Sequence, residues 1–224
     1  MIWLLFFGTM ALSGLASLLV RGAFSRYSKT PSSSGLTGAE VAQRILSNAG
    51  IRDVTIYAQP GALTDHYDPS NRRLVLSEEN FYGTSVAAIG IAAHESGHAL
   101  QHQARYAPLE LRMAAVGITN ATGMIIPFIG MAGYFLAPRL ALILMAGAMG
   151  IIMLFQLITL PVEFDATARA KRVVGELGLV GPGKQTAGMN RVLDAAALTY
   201  VAAFISAFLY FAYYLLQASG GRRD

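Results

Sequence analysis

The stretch AAHESGHALQH, residues 92–102, decides how the rest of the chain is read. His94 and His98 are four residues apart, so a helix sets them on one face, about one turn apart, where both imidazoles can reach a single ion. Glu95 sits beside them but is rotated off that line, within reach of a water at the ion without competing strongly for the ion itself. This is the H-E-x-x-H arrangement. Zinc there acts as a Lewis acid and brings the pKa of its water down to about 7. The glutamate takes the proton and passes it to the leaving amine. The flanking residues predict the helix the motif needs, over about 85 to 104. VAAIGIAA, residues 86–93, is small and apolar on most faces, and Thr84 or Ser85 stands where an N-cap belongs. The competing reading is a buried helix that merely contains two histidines.

His102 extends the line to i+8. Two turns along the axis are ~11–12 Å, too far for three imidazoles to meet on one tetrahedral ion. It reads as a half-exposed or supporting histidine. The longer H-E-x-x-H-x-x-G-x-x-H pattern is absent, because Gln101 stands at the glycine and Ala104 at the third histidine. The third ligand therefore comes from elsewhere. His66 is one candidate. Glu163 is the better one: it opens a later helical stretch in an apolar LPV–F setting, and a carboxylate there needs a partner. A helix-start glutamate favoured by the dipole is its plain alternative. Asp165 points to another face and reads as structural or supporting.

Composition places the motif in a membrane protein. The chain has 224 residues, 54% hydrophobic and only 13% charged, where a soluble domain carries about 25% charged residues. Four runs are long enough to span: Ile2 to Val20, about Ala114 to Leu136, about Leu140 to Leu160, and about Ala197 to Leu216. Pro138 and Arg139 make the turn between the second and third. The first run lacks a basic n-region and reads as an uncleaved anchor rather than a signal peptide. FLYFAYYLL near the end of the fourth suits an interfacial aromatic belt. Residues 21–113 carry nine basic residues and residues 161–196 carry five, against Arg139, Arg222 and Arg223 on the opposite side. The positive-inside rule then puts both polar segments in the cytoplasm and both termini outside. Two spans separate His94 from Glu163, an even number, so both lie on the same side. The net charge of +4 comes without a dense basic cluster interleaved with aromatics, which argues against nucleic acid. The absence of cysteine excludes disulfides and thiolate metal sites.

In the first polar segment, SKTPSSSG (28–35) is a linker and TGAE (37–40) a capping box, with Gly50 ending the helix that follows. VTIYA, ALTDHYD and RRLVLS read as β-stretches, the last two joined as a hairpin by the turn DPSN. RRLVLS is either a core strand or an edge strand able to pair with an extended peptide. Tyr67, His66, Tyr82 and Arg191 are candidate oxyanion stabilisers.

Taken together, LTDHYDPSNRRLVLSEENFYGTSVAAIGIAAHESGHALQHQ, LPVEFDATARAKR and VLDAAALTYVAA resemble the YugP-type neutral zinc metallopeptidases of bacterial membranes, over most of the chain. The resemblance implies a gluzincin-like unit in which His94, His98 and Glu163 match the metal ligands and Glu95 the catalytic glutamate. Many related gluzincins carry an Asp four residues after the glutamate ligand. Here that position is Thr167, so Thr167 or Asp165 takes the supporting role.

The expected fold class is α+β, mostly α: a multi-pass helical membrane protein of about four transmembrane helices with a small zincin-like metalloprotease domain. Its parts are an N-terminal anchor (1–20), the zincin-like domain with the H-E-x-x-H helix (21–113), a transmembrane hairpin (114–160), a helix with the third ligand plus a loop (161–196), and a C-terminal transmembrane helix and tail (197–224). The expected function is a Zn2+-dependent endopeptidase of the bacterial cytoplasmic membrane with its active site on the cytoplasmic side. It would hydrolyse unfolded or membrane-associated polypeptides by a metal-activated water with Glu95 as general base. Its partners are those polypeptides, membrane proteins among them, and the lipid bilayer. The alternative is a non-enzymatic scaffold or chaperone-like protein that retains a zinc fold, against which the intact Glu95 argues. Intramembrane cleavage is disfavoured because no Asp-Gly occurs, and transport because the spans carry few ionisable groups.

Overall fold

The computed structural model describes residues 1–220; Arg222 and Arg223, counted above for orientation, lie outside them. Four helices are long and apolar enough to cross a membrane: α1 (Ile2–Tyr27), α5 (Ala107–Leu136), α6 (Pro138–Glu176) and α7 (Lys184–Gly220). By length and composition they are membrane-span candidates. Their outward faces are apolar, with Trp3 and Leu4 on α1 and Met124 and Phe128 on α5 largely exposed. Helices α1 and α6 flank α7, and α5 packs along α6.

Helix boundaries differ from the sequence reading: α5 begins at Ala107 rather than near Ala114, and α7 at Lys184 rather than near Ala197. The third span and the helix carrying Glu163 are a single 39-residue helix that runs through Pro161. Proline removes one N–H from the ladder and usually kinks or ends a helix. Here the helix persists because its second half is clamped: Val162, Glu163, Ala166, Thr167 and Ala170 are all buried. The neighbouring carbonyls also gain outside donors. Gln101 Nε2 donates to the Val162 carbonyl at 2.7 Å and the Tyr106 hydroxyl to that of Pro161 at 3.5 Å.

The remaining elements are α2 (Gly38–Asn48), β1 (Thr55–Gln59), β2 (His66–Asp68), β3 (Arg73–Ser77), the short α3 (Glu78–Tyr82) and α4 (Val86–Gln103). The capping box of α2 is complete: Thr37 Oγ1 accepts from the Glu40 N–H at 3.2 Å, and the Glu40 carboxylate accepts from the Thr37 N–H at 2.8 Å. Gly50, past the end of α2, takes φ +72°, a left-handed conformation that glycine adopts without steric cost.

The hairpin forms as the DPSN turn requires. β2 pairs antiparallel with β3 in the register His66↔Val75, and Asp68 Oδ1 accepts from the N–H groups of Ser70 and Asn71. β1 then adds parallel to the other side of β3, giving the order β1-β3-β2. RRLVLS is therefore the central strand, and the edge-strand reading of it is overturned. Its buried run explains the placement: Leu74 and Leu76 are fully enclosed and Val75 nearly so, which an edge strand with one wet side does not need. The edges belong to β1 and β2.

Helix α4 lies between this small α/β layer and the long helices. Ser85 caps it by accepting from the Ala88 N–H at 3.1 Å. Its buried side chains join one core with Ile45 and Leu46 of α2, Leu74 and Leu76 of β3, Val174 of α6 and Leu193 of α7. Gly97, inside the H-E-x-x-H motif, sets how close α4 and α6 come. A Cβ there would stand 2.6 Å from the Ala166 carbonyl oxygen.

Candidate metal centre

His94 and His98 project from α4 towards Glu163 on α6. One ligand atom from each of the three lies within 4.8 Å of the others, and all three side chains are largely buried. His94 Nε2 is 3.2 Å from Glu163 Oε2, and His98 Nε2 is 3.5 Å from the same oxygen. A tetrahedral ion with bonds of ~2.0–2.1 Å separates its ligands by roughly 3.4 Å, so the spacing fits zinc. The tautomers fit as well. His98 Nδ1 faces the Gln101 Oε1 at 3.0 Å and His94 Nδ1 faces the Thr167 hydroxyl at 3.3 Å. An Nδ1–H donated to those oxygens leaves each Nε2 lone pair turned to the centre.

Both residues weighed from sequence for the supporting role are engaged, on different histidines. Thr167 contacts His94 directly. Asp165 acts on His98 through Gln101, whose Nε2 donates to Asp165 Oδ2 at 2.9 Å while its carbonyl receives the histidine. The other oxygen of Glu163 is held by Arg112 of α5, with Nη1 3.0 Å from Oε1, and Tyr200 of α7 faces the same carboxylate. That pairing offsets the cost of burying the carboxylate.

Glu95 is 8% exposed and lines the same cleft. Burial pushes its carboxyl up from 4.5 to about 7; the positive field of His94 opposes the rise and the charge of Glu163 adds to it. The cleft has a volume of about 270 Å³, and its walls include His66 and Tyr67 of β2, Arg112 and Met113 of α5, and Phe155 of α6. Burial raises the Tyr67 hydroxyl to about 12, so it stays protonated. It pairs with His102 Nδ1 at 2.9 Å.

The placement of the other candidates is mixed. His66 lines the cleft but stands outside the ligand group, its Nδ1 against the Thr64 carbonyl at 2.8 Å. His102 is half-buried and also outside that group. Tyr82 is 66% exposed, and Arg191 donates to the Tyr27 hydroxyl; neither lines the cleft. Four residues escaped the sequence reading: Gln101, Arg112, Tyr200 and Asp65. Gln101 had a visible signal, a polar residue three positions after a candidate ligand on the same helix face. Arg112, a cation at the mouth of an apolar run, had a weaker one. Asp65, which accepts from the Ser77 N–H at 2.8 Å and from Asn80, had none.

Fold and cluster together describe a multi-helix protein in which a His-His-Glu group able to hold a metal ion sits over a cleft. The chain belongs to the family described as "Putative neutral zinc metallopeptidase", whose model matches residues 2–219. It is 45% identical over 207 residues to the "Putative membrane protease YugP" of Bacillus subtilis (strain 168), covering 89% of this chain and 90% of that relative. No solved structure gives a significant match.

Proposed function

We propose that the protein is a membrane-embedded, zinc-dependent endopeptidase of the gluzincin type, acting on unfolded or membrane-associated polypeptides. The observation that carries this reading is Glu95 in the same cleft as a buried His94–His98–Glu163 cluster whose Nε2 atoms turn inward. His94, His98 and Glu163 would hold the ion. Zinc bound there supplies a Lewis acid and lowers the pKa of water. Glu95 would accept the proton of the attacking water and return it to the leaving nitrogen. Gln101 and Thr167 orient the two imidazoles, and Arg112 orients Glu163. β2 lies at the edge of the sheet beside the cleft, where an extended peptide could add alongside it, which would favour loosely structured substrates of varied sequence.

The basic bias of the polar segments supports a centre at the cytoplasmic face of a bacterial cytoplasmic membrane. The test is cleavage of an unfolded polypeptide by purified protein in detergent, beside Glu95→Gln. We expect hydrolysis by the parent and a loss of about 10²-fold or more in the variant, with zinc content equal in both. Equal turnover would remove Glu95 as the base.

A further inference from the structure

The cleft is not the only cavity at the His94–Glu95 segment among the described residues. A second cavity of about 190 Å³ lies against Glu95. Asp65, His94, Glu95 and Tyr200 line both. A polypeptide laid across Glu95 could present a side chain to each. The two differ in chemistry. The first holds Arg112 and Glu163, whereas the second is walled by apolar side chains from α1 and α7. Val192 and Leu193 of α7 are almost wholly buried and make its floor. Val20 and Phe24 of α1 and Ala196 of α7 are half-buried and form its sides. Leu63, exposed on the loop before β2, stands at the rim. Its ionisable groups are those shared with the cleft, and Asp65 is already satisfied by Ser77 and Asn80. A charged or strongly polar occupant would lose water and find no partner in its depth.

We propose that this cavity is a specificity pocket for a large apolar side chain (Leu, Ile, Met or Phe) on the substrate residue next to the scissile bond. The N-terminal helix is then a wall of the substrate site. Val20 and Phe24 lie where the apolar run of α1 gives way to Arg21, Arg26 and Lys29, at the level of a membrane–water boundary. A pocket at that depth suits apolar polypeptide segments lying at the interface. The inference rests on the peptidase reading above and deepens it.

Zinc-loaded full-length protein in detergent is given peptides that differ only at the two residues flanking one bond, and products are read by mass spectrometry. The parent should prefer Leu, Met or Phe over Ala or Asp on one side of the bond by on the order of tenfold or more. Ala196→Phe fills the cavity and should shift the preference towards Ala and Gly, mainly through KM for the bulky peptides, with zinc content unchanged. Phe24→Ala opens the α1 wall and should weaken discrimination among bulky residues. A parent without apolar preference, or preferences unmoved in both variants, would overturn the pocket. If the parent cuts no peptide at all, the peptidase reading fails and binding decides the pocket. A fluorescent Leu-containing peptide should then bind the parent about tenfold more tightly than Ala196→Phe, and equal affinities would overturn it.

Discussion

His94 and His98 carry the same imidazole, yet their supports are unequal. Gln101 is fully buried and joins three groups: His98, Asp165 and the Val162 carbonyl. Thr167 makes one longer contact to His94. Removing such supports from metal ligands costs about 10–100-fold in affinity. Gln101→Ala should fall at the upper end of that range and Thr167→Val at the lower, measured by competition with a chromophoric chelator. Equal losses would mean that Gln101 is a packing residue. Glu95 makes a separate prediction for the metal-free protein. Its folded pKa of about 7 exceeds its ordinary value of 4.5 because the carboxylate is desolvated. Between those values the folded state holds a proton that the unfolded chain has released, so stability falls as pH rises across that window. Glu95→Gln has no proton to lose and should gain on the parent over the same window, by up to about 3 kcal/mol. Thermal melting in detergent with chelator, from pH 4.5 to 7.5, reads the gap. A gap that stays constant across the window would show that Glu95 titrates normally.

At the scale of the elements, the site depends on how closely α4 meets α6. Gly97 allows the approach that brings two histidines from one helix to a glutamate on the other. In Gly97→Ala the new methyl meets Ala166 backbone, which cannot give way as a flexible side chain does. Overpacking costs about 1–3 kcal/mol and outweighs the gain of about 1 kcal/mol from alanine's helix propensity. We expect lower thermal stability and zinc affinity reduced by about tenfold or more; a more stable variant with unchanged zinc binding would show that the helices can separate without cost to the site. The grouping of His94, His98 and Glu163 was legible in the sequence. H-E-x-x-H sits in one helix, and helical spacing alone fixes its geometry. Glu163 was favoured by its apolar setting, and the even count of candidate spans between it and His94 left it eligible. The supports were less legible, since Arg112 and Tyr200 reach the centre only through the packing of α5 and α7, which no local spacing encodes. The sheet was half legible. The turn DPSN specified β2 against β3, whereas the parallel pairing of β1 is a non-local choice with no turn to announce it. The unbroken Leu74–Val75–Leu76 run was the available sign that β3 is central. Pro161 marked a helix start by local rules, and burial against α4 overrode it.

At the scale of the whole molecule, the orientation of the centre follows from the side to which the chain returns. With α5 and α6 read as two crossings, His94 and Glu163 share a face, and the positive-inside rule would assign that face to the cytoplasm. Nine basic residues in 21–113 and five in 161–196 stand against Arg139 alone in the α5–α6 turn. The chain has no cysteine, so a single introduced thiol reports its own side without background. Ser33 is exposed on the linker after α1, and only its backbone N–H is committed, to Gln185 at 3.1 Å. In intact bacterial cells, Ser33→Cys should resist a membrane-impermeant maleimide and react once the membrane is opened. Arg139→Cys should react in intact cells. The reverse pattern would put the centre outside and exclude cytoplasmic polypeptides as substrates. Reaction of both thiols from one side would mean that α5 does not cross between residues 33 and 139, and would overturn the reading of α5 and α6 as a membrane hairpin.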